Sequence, residues 1–247
     1  MTTDYELAVE CCILAGRLMM EGGAETYRAE DTMDRMAISQ KLTQSQSFVT
    51  PTGIIFSGNK NLPTRLVRIN NRATDLEKIA LVNAVSRKLA NAEISVEEAY
   101  ETLMKIDKEH KQYPFWIQII AASIASGAFL ILFGSSLLNV PTAMIAGGFG
   151  FSVATLLERR TRVKFVAEFI AALVISVMAI FSVENGVGNE VDKIIIGSVM
   201  PLVPGLLITN AIRDLMAGHF VSGLSKGAEA FLTATAIGAG VGFILSL

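Results

Sequence analysis

The amino-acid sequence predicts an α-helical integral membrane protein with an amino-terminal cytoplasmic α+β domain that contains a small antiparallel sheet. The first observation is an uneven distribution of charge. Residues 1–112 hold 14 Lys/Arg and 16 Asp/Glu, whereas residues 113–247 hold 7 of each. The second observation is a series of apolar segments after residue 112 that are long enough to cross a membrane. The third is a cluster of short β-rich segments between residues 42 and 70. We therefore expect two domains, residues 1–112 and residues 113–247.

The amino-terminal domain is predicted to contain four helices and three strands. Apolar residues recur at helical spacing from Leu7 to Leu18, and a second helix follows in AETYRAEDTMDRMA. The segments LTQSQSFVT, GIIFS and RLVRI are separated by turn residues, which indicates three strands in meander order. A third helix is predicted at about residues 75–91. The fourth begins after Ser95, where Glu98 completes a capping box.

The composition favours a cytoplasmic location for this domain and argues against several partners. The sequence MTTDYELAVE lacks the basic and apolar regions of a signal peptide. The adjacent residues Cys11 and Cys12 point in different directions on a helix, so a disulfide between them is not expected. No metal-ligand or redox spacing is present, and we expect neither a metal nor a cofactor. The formal net charge of −2 gives no electrostatic reason to expect nucleic acid as a partner.

Five transmembrane helices are the most economical interpretation of residues 113–247. Aromatic residues at positions 115 and 116 fit an anchor at the start of the first helix. The segment ERRTRVK is strongly basic and the segment after the fourth span carries further cations, whereas VENGVGNEVDK is acidic. The positive-inside rule therefore places the amino-terminal domain in the cytoplasm and Leu247 outside. The predicted spans cover about residues 115–138, 141–157, 164–184, 191–212 and 227–247.

The fourth predicted span places helix breakers next to polar residues, in the segment VMPLVPGLLITNAIRDL. A break at membrane depth is tolerated where it is buried in protein or lines a water-filled cavity, as in the substrate sites of transporters. The other interpretation is an ordinary proline kink, with the arginine and the aspartate at the cytoplasmic interface. We expect a substrate pathway, because the asparagine amide would lie inside the membrane boundary. The predicted pathway residues are Pro201, Pro204, Gly205, Asn210, Arg213 and Asp214.

Five further residues are candidates for a role in function. Glu168 and Glu229 are candidates for proton coupling, since a carboxyl within a span is costly and by default suggests an ion pathway. Both lie near a cytoplasmic helix end, however, where a side chain also reaches the interface. In the amino-terminal domain, Glu25, Arg28 and Asp31 follow i, i+3, i+6 spacing and would share a helix face. This face is either a solvated, ion-paired surface or a site.

One short motif suggests an enzyme. The segment GLSKG matches the G-x-S-x-G pattern of a hydrolase nucleophile, with Ser225 at its centre. That nucleophile requires a strand before it and a helix after it, whereas we expect GLSKG in a loop between two membrane spans. We therefore interpret the match as a coincidence. A membrane-anchored, hydrolase-like enzyme with its active site in the cytoplasmic domain stays as the alternative function.

Three segments of the chain resemble the threonine/serine exporter family: AGRLMMEGGAETYRAEDTM, FVTPTGIIFS and PLVPGLLITNAIRDLMAGHFVSGLSKGAEAFL. The resemblance covers nearly the whole chain. Single-chain members of that family are about twice as long and carry about twice as many spans, so this chain is similar to the larger subunit of the split form. The resemblance implies export of threonine and serine, or of a dicarboxylate such as succinate, driven by the membrane potential or the proton gradient. Arg213 would then be a partner for a substrate carboxylate.

These observations together predict one subunit of a secondary exporter in the bacterial inner membrane. Its expected partners are a small-molecule metabolite, membrane lipid, and a smaller membrane subunit of the same family or further copies of itself. We expect no enzymatic activity. A scaffold subunit whose partner forms the actual pathway is a third, weaker interpretation.

Overall fold

The computed structural model describes residues 2–59, 63–109, 113–161 and 163–247. The chain is mostly helical, contains one small antiparallel sheet, and separates into two compact units. The first unit comprises Met1–Lys111 and Leu206–Gly227, and the second comprises Gln112–Gly205 and Ala228–Leu247. The predicted boundary between residues 112 and 113 stays a prediction, because compactness does not locate a membrane.

The amino-terminal part of the first unit follows the predicted order of elements. Its elements are α1 (Thr2–Glu21), α2 (Thr26–Ser39), β1 (Gln46–Thr50), β2 (Gly53–Ser57), β3 (Arg65–Arg68), α3 (Leu76–Ala90) and α4 (Val96–Lys108). The core of this unit is apolar and includes the fully buried Leu18, Met33 and Phe56. Cys11 and Cys12 are buried free thiols within the same core.

The three strands form an antiparallel meander in the order β1-β2-β3, which confirms the predicted topology. Val49 pairs with Ile54, and Ile54 pairs with Val67. Val49 and Ile54 are buried, whereas their neighbours Phe48 and Ile55 are exposed. This period of two is the pattern of a sheet with one face against the core.

The helix starts of the first unit differ in how they are capped. Ser95 and Glu98 form the predicted capping box at α4, and the Asp75 side chain accepts a hydrogen bond from the Lys78 backbone N–H at α3. Glu25, which precedes α2, has an extended backbone but makes no side-chain cap bond. The first N–H groups of α2 therefore need another acceptor, since the first four of any α-helix have no partner within the helix.

The remaining helices are rich in apolar residues, and four of them are long. They are α5 (Phe115–Leu132), α6 (Val140–Thr161), α7 (Lys164–Glu184), α8 (Val191–Val199), α9 (Gly205–Met216) and α10 (Phe220–Leu245). Four candidate spans are found among the described residues, namely Phe115–Leu132, Leu137–Thr161, Lys164–Glu184 and Phe220–Leu245. The pair Val191–Leu202 and Gly205–Met216 passes the same test together, so up to five spans are present if this bent pair counts as one.

The interruption expected within the fourth span is present. After α8 the chain makes a 3-10 turn at Met200–Leu202 that includes Pro201, and Val203 is extended, with φ −65° and ψ 129°. The next helix, α9, begins directly after Pro204. This break divides the predicted span 191–212 into two short helices, because Pro204 has no N–H to continue the hydrogen bonding of α8.

The expectation that GLSKG lies in a loop is wrong. Gly223–Gly227 lies inside α10, which begins at Phe220 and not near residue 227. The small and polar residues of this segment are helical because their inner face is packed: Ser222 and Lys226 are buried. A helical position is also incompatible with the strand-to-helix turn that a hydrolase nucleophile requires.

The helices of the second unit approach one another closely at glycine residues. A Cβ atom on Gly147 would lie 1.9 Å from the Ser126 hydroxyl, and one on Gly150 would lie 2.4 Å from Ile175. Small residues at such positions let membrane helices pack backbone to backbone. On the outer side of α5, Trp116, Ile120 and Ile124 are exposed at helical spacing, as expected for a face toward lipid.

A polar cluster joins the α5–α6 and α7–α8 connections of the second unit. Asn139 is fully buried, and its amide donates to Glu190 at 3.0 Å. Ser135 donates to the same carboxylate at 2.8 Å, and Lys193 forms an ion pair with it at 2.6 Å. Hydrogen bonds from Lys193, Ser135 and the Ser136 N–H hold the pKa of Glu190 at about 2. The cluster therefore keeps an ionised carboxylate on this end of the helices.

Candidate functional site

Helix α9 buries two polar side chains on its inner face and exposes several large apolar ones. Asn210 is 5% exposed and Asp214 is 0% exposed, one turn apart on the inner face. Ile208, Ile212 and Met216 occupy the opposite face at i, i+4, i+8 spacing and are exposed. A soluble amphipathic helix has the reverse arrangement. The inner face of α9 therefore needs polar partners. The amino-terminal part of the first unit and α10 supply them.

Asp214 is fully enclosed by polar partners near the start of α2. Its carboxylate accepts hydrogen bonds from the Thr26 backbone N–H and from the Thr26 hydroxyl, both at 2.9 Å. Lys226 of α10 donates to the same carboxylate at 2.8 Å and to the Ala24 carbonyl at 3.0 Å. The exposed fractions of the Lys226 and Asp214 side chains are 5% and 0%. We call Thr26, Asp214 and Lys226 the sealed cluster.

The sealed cluster supplies the cap that α2 lacks locally. Asp214 accepts from the first N–H of α2, and its negative charge lies where the helix dipole favours an anion. The neighbouring Lys226 neutralises that charge, which is required because an unpaired buried carboxylate is very costly. The cap of α2 thus comes from a residue 188 positions further along the chain.

The residue beside Asp214 forms a second ionic cluster of different character. Arg213 donates to one Glu25 carboxylate oxygen at 2.6 Å, and Arg28 donates to the other at 3.2 Å. The exposed fractions of the two arginine side chains are 56% and 42%, whereas that of Glu25 is 6%. We call Glu25, Arg28 and Arg213 the open cluster. Its two guanidinium groups meet one carboxylate, which leaves one net positive charge.

The pKa of Glu25 reflects these partners. Burial raises the pKa of this carboxyl, but a backbone hydrogen bond and the donors of Arg213 and Arg28 outweigh burial and leave it below the ordinary value. Glu25 is therefore a carboxylate under ordinary conditions. The Asn210 amide donates to the Gly23 carbonyl at 2.8 Å, and this glycine has a φ of 85° that favours a residue without a side chain.

The open cluster lines a cleft of about 460 Å³ in the first unit. The lining combines apolar residues with the two arginines and with asparagine and threonine residues. The lining residues are Gly23, Glu25, Arg28, Leu76, Ile79, Ala80, Asn83, Leu206, Thr209, Asn210 and Arg213. A concave site with a few converging polar groups and a positive charge is suited to a small organic anion.

A third ionic contact involves the turn between α9 and α10. His219 Nδ1 lies 3.7 Å from Glu30, which also accepts a hydrogen bond from the Val49 N–H at 2.9 Å. Burial is the main reason that the pKa of Glu30 is raised above its ordinary value. Burial likewise raises the pKa of Asp34, whose carboxylate accepts from the Ser47 hydroxyl. These groups belong to the core side of α2 and lie outside the residues that line the cleft.

The two predicted proton-coupling residues belong to the second unit. Lys164 lies 4.0 Å from Glu168 and 3.3 Å from Glu229. Glu168 is only 7% exposed, and the hydroxyl of the fully buried Thr233 lies beside its carboxyl group. Glu168 is thus a buried carboxyl whose polar neighbours are the Lys164 ammonium group and the Thr233 hydroxyl.

The structure brings together residues that the sequence suggested separately. Glu25 and Arg28, proposed as a helix face, meet Arg213, which was proposed for the pathway. Asp31 is not part of this group, because it is exposed and pairs with Arg35. Pro201, Pro204 and Gly205 form the break before α9. Among the described residues, no group of three or more His, Cys, Asp or Glu is placed to hold a metal ion.

Sequence reasoning missed Thr26, Lys226 and Asn83. Lys226 carried one usable signal, since a lone lysine in a segment of small and apolar residues needs an anionic partner. Thr26 and Asn83 carried no such signal in the sequence, because their roles arise only when α2, α3 and α9 come together.

Four helices among the described residues, or up to five spans if the bent pair counts as one, are long and apolar enough to cross a membrane, which is the pattern of an α-helical, multi-pass membrane protein. Residues 10–247 match the family described as "Putative threonine/serine exporter". The chain belongs to this threonine/serine exporter family.

Three curated relatives are similar to nearly the whole chain. "Probable succinate transporter subunit YjjP" of Escherichia coli K12 is 22% identical, and the alignment covers 100% of this chain and 97% of the relative. The protein of the same name from Klebsiella aerogenes is 20% identical, over 96% of this chain and 93% of the relative. "Pheromone-regulated membrane protein 10" of Pichia sorbitophila is 23% identical over 91% of this chain, but the match spans only 23% of that longer protein. No solved structure matches the chain.

Proposed function

We propose that the chain is one subunit of a secondary exporter that moves small hydrophilic metabolites out of the cell, in a bacterial inner membrane. Membership of the threonine/serine exporter family supports export, and two relatives named as transporter subunits support action within an assembly. The same findings favour export over the alternative of a membrane-anchored enzyme. In this proposal the amino-terminal domain is cytoplasmic and Leu247 lies outside.

The observation that carries the proposal is the inverted helix α9. Ile208, Ile212 and Met216 form an exposed apolar stripe of the kind that suits lipid, while Asn210 and Asp214 face the start of α2 and the residues before it. The arginine between these faces lines the cleft. A broken helix with polar groups at its end is the arrangement by which many transporters form a substrate site.

The proposed route for the metabolite begins at the cleft and follows the break. Arg213 and Asn210 would meet the metabolite on the cytoplasmic side, and Pro201, Pro204 and Gly205 would provide the interruption that lets it pass. Asp214 would hold α9 in place and not bind the metabolite directly, because it is enclosed by Thr26 and Lys226.

Proton coupling is proposed for Glu168, with Glu229 beside it. An ionised carboxyl within a membrane helix is costly, so a carboxyl as buried as Glu168 is suited to bind and release a proton. Lys164 contacts both carboxyls, at 4.0 Å from Glu168 and 3.3 Å from Glu229. The matched control is Glu158, an exposed carboxyl at the end of α6.

Efflux from preloaded cells tests the export proposal. Cells are loaded with labelled threonine or labelled succinate and express this chain alone or with a small membrane subunit of the same family. Wild-type protein should export one of these solutes, and Arg213→Gln should slow export at least about tenfold, as expected for a lost charge-assisted hydrogen bond. Arg68→Gln, a change at an exposed arginine of β3, is the matched control and should export normally.

The same assay tests proton coupling. Collapse of the proton gradient should stop export by the wild type, and Glu168→Gln should abolish gradient-driven export while Glu158→Gln does not. Export by Glu168→Gln that still responds to the proton gradient would remove this residue from the mechanism. Absence of efflux for both solutes, with and without the second subunit, would refute the exporter proposal.

A further inference from the structure

We infer that the cleft of the first unit is a binding site for a small carboxylate, and that Glu25 occupies the position of the ligand carboxylate when the site is empty. This inference rests on the proposed function, because it makes the cleft the place where the exported metabolite is first bound. It also assigns a role to Glu25 that a simple ion pair would not have: that of an internal competitor.

In the open cluster, two arginines donate to the two oxygens of one carboxylate. Arg213 donates to Glu25 Oε1 at 2.6 Å and Arg28 donates to Glu25 Oε2 at 3.2 Å, so the two guanidinium groups grip the two oxygens of one carboxylate. A guanidinium group has five N–H donors in a planar fork, which matches the shape of a carboxylate. The arrangement around Glu25 is therefore that of a carboxylate-binding site with its occupant attached to the protein.

The guanidinium groups of the open cluster are accessible to a dissolved ligand. The arginine side chains are 56% and 42% exposed, while the Glu25 side chain is 6% exposed. A dissolved carboxylate therefore reaches the guanidinium groups from the solvent side, where their remaining donors lie. The cleft residues carry one net positive charge, so an anion is attracted even while Glu25 is in place.

The cap of α2 does not depend on the Glu25 carboxylate. Glu25 stands at the cap position of α2 but makes no side-chain cap bond. The sealed cluster performs that task, through the bond from the Thr26 N–H to Asp214. The Glu25 side chain can therefore be displaced by a ligand, or replaced by mutation, without removing the cap of the helix.

The lining defines the class of ligand. The cleft of about 460 Å³ is large enough for a compact organic acid but is bounded by the apolar side chains of Leu76, Ile79 and Leu206. Amide or hydroxyl groups of Asn83, Thr209 and Asn210 face the same space. A short acid can pair its carboxylate with the arginines and place its carbon chain against the apolar residues. A second polar group, either a second carboxylate or a hydroxyl and an ammonium group, can then bond to the amide or hydroxyl groups. Succinate and threonine share this chemistry, and both are used as probes.

The test is a titration of the purified full chain in detergent by isothermal calorimetry, with succinate, L-threonine and sulfate as separate probes. Wild-type protein should bind succinate or threonine more tightly than sulfate. Arg28→Gln and Arg213→Gln should each weaken that binding about tenfold or more, because each removes a charge-assisted hydrogen bond. Arg68→Gln should bind as the wild type does. Glu25→Gln should bind at least several-fold more tightly, since the internal competitor loses its charge.

The sign of the Glu25→Gln effect separates this inference from a structural role. If Glu25 only positions the arginines, its loss weakens binding as the arginine changes do, and the inference is overturned. Binding by Glu25→Gln alone, with none by the wild type, supports it, because the resident carboxylate then fully excludes the ligand. No binding to either protein, or equal binding of sulfate and both acids, overturns it. Thermal unfolding of each variant shows that the chain is folded before titration.

The failure of this inference is distinct from failure of the exporter proposal. Efflux that depends on the chain, together with no binding in the cleft, would leave export standing and place recognition elsewhere. Binding that follows the predicted pattern, together with no efflux of either acid, would leave the cleft standing as a carboxylate site of another function.

Discussion

The sealed cluster and the open cluster connect adjacent residues of α9 to adjacent residues at the start of α2. Asp214 meets Thr26, and Arg213 meets Glu25. Both carboxylates are buried, but their cations differ in exposure to water: the Lys226 side chain is 5% exposed, whereas the Arg213 side chain is 56% exposed. Burial makes the removal of one ionic partner very costly, while an exposed ion pair contributes little to stability. The sealed cluster therefore stabilises the fold, and the open cluster is left for binding.

The largest expected effect comes from breaking the sealed cluster. Lys226→Met leaves the Asp214 carboxylate buried without its cation, so the free energy of unfolding of the first unit should fall by about 3–5 kcal/mol. Denaturant unfolding in detergent measures this fall, and hydrogen exchange of the first turn of α2 localises it. The double change Asp214→Asn with Lys226→Met removes both charges and should recover part of the loss. Equal losses in the single and double variants would contradict the ionic explanation.

A smaller effect is expected from the hydroxyl of the sealed cluster. Thr26→Val keeps the shape of the side chain and the backbone bond to Asp214 but removes the hydroxyl bond. The free energy of unfolding should fall by about 1 kcal/mol, or somewhat more because a buried acceptor loses a donor. Thr26→Ser keeps the hydroxyl and is the matched control in the same unfolding experiment. A larger loss for the serine variant would show that packing of the methyl group matters more than the hydrogen bond.

The open cluster should respond in the opposite way to mutation. Arg213→Gln should lower the free energy of unfolding by less than about 1 kcal/mol, because its ion pair is half-exposed and Arg28 still contacts Glu25. The same change should strongly reduce export in the efflux assay. Comparison with Lys226→Met separates loss of a binding group from loss of the fold. A large drop in stability for Arg213→Gln would show that the two clusters act as one.

The smallest expected effect is the pH dependence of stability at Glu25. Its pKa in the folded chain lies below the ordinary 4.5, so its stabilising contribution is present above that value and is lost as the pH falls through the folded-state pKa. The stability difference between wild type and Glu25→Gln should thus be constant near neutral pH and shrink in acid. Glu30 has a raised pKa, so its contribution is present below 4.5 and is lost as the pH rises through the folded-state pKa. Unfolding measured across pH for Glu25→Gln and Glu30→Gln should therefore show opposite trends.

Local features of the fold could be predicted from the sequence. The sheet follows from β-rich segments between turn residues, and the capping box follows from the spacing of Ser95 and Glu98. The break before α9 follows from Pro201 and Pro204, because a proline has no N–H to continue the hydrogen bonding of a helix interior. In each case the cause lies within a few residues of the effect.

The assembly of the candidate site could be predicted only in part. Asn210 and Asp214 stood out because polar groups in an apolar segment need partners, but nothing local says which partners. Glu25 is a poor cap residue by type, so the start of α2 gave no sign that Asp214 would serve it. Contacts across 188 positions depend on the packing of whole elements, which the spacing of residues along one helix does not record.

The remote cap of α2 has a consequence for the newly made chain. A ribosome adds about 5–20 residues per second, so residue 214 follows residue 26 by roughly 10–40 s. During that interval the first N–H groups of α2 face water, and the helix start frays. The amino-terminal unit therefore leaves the ribosome unfinished, and the cap of α2 arrives only after four apolar helices, α5 to α8, have been synthesised.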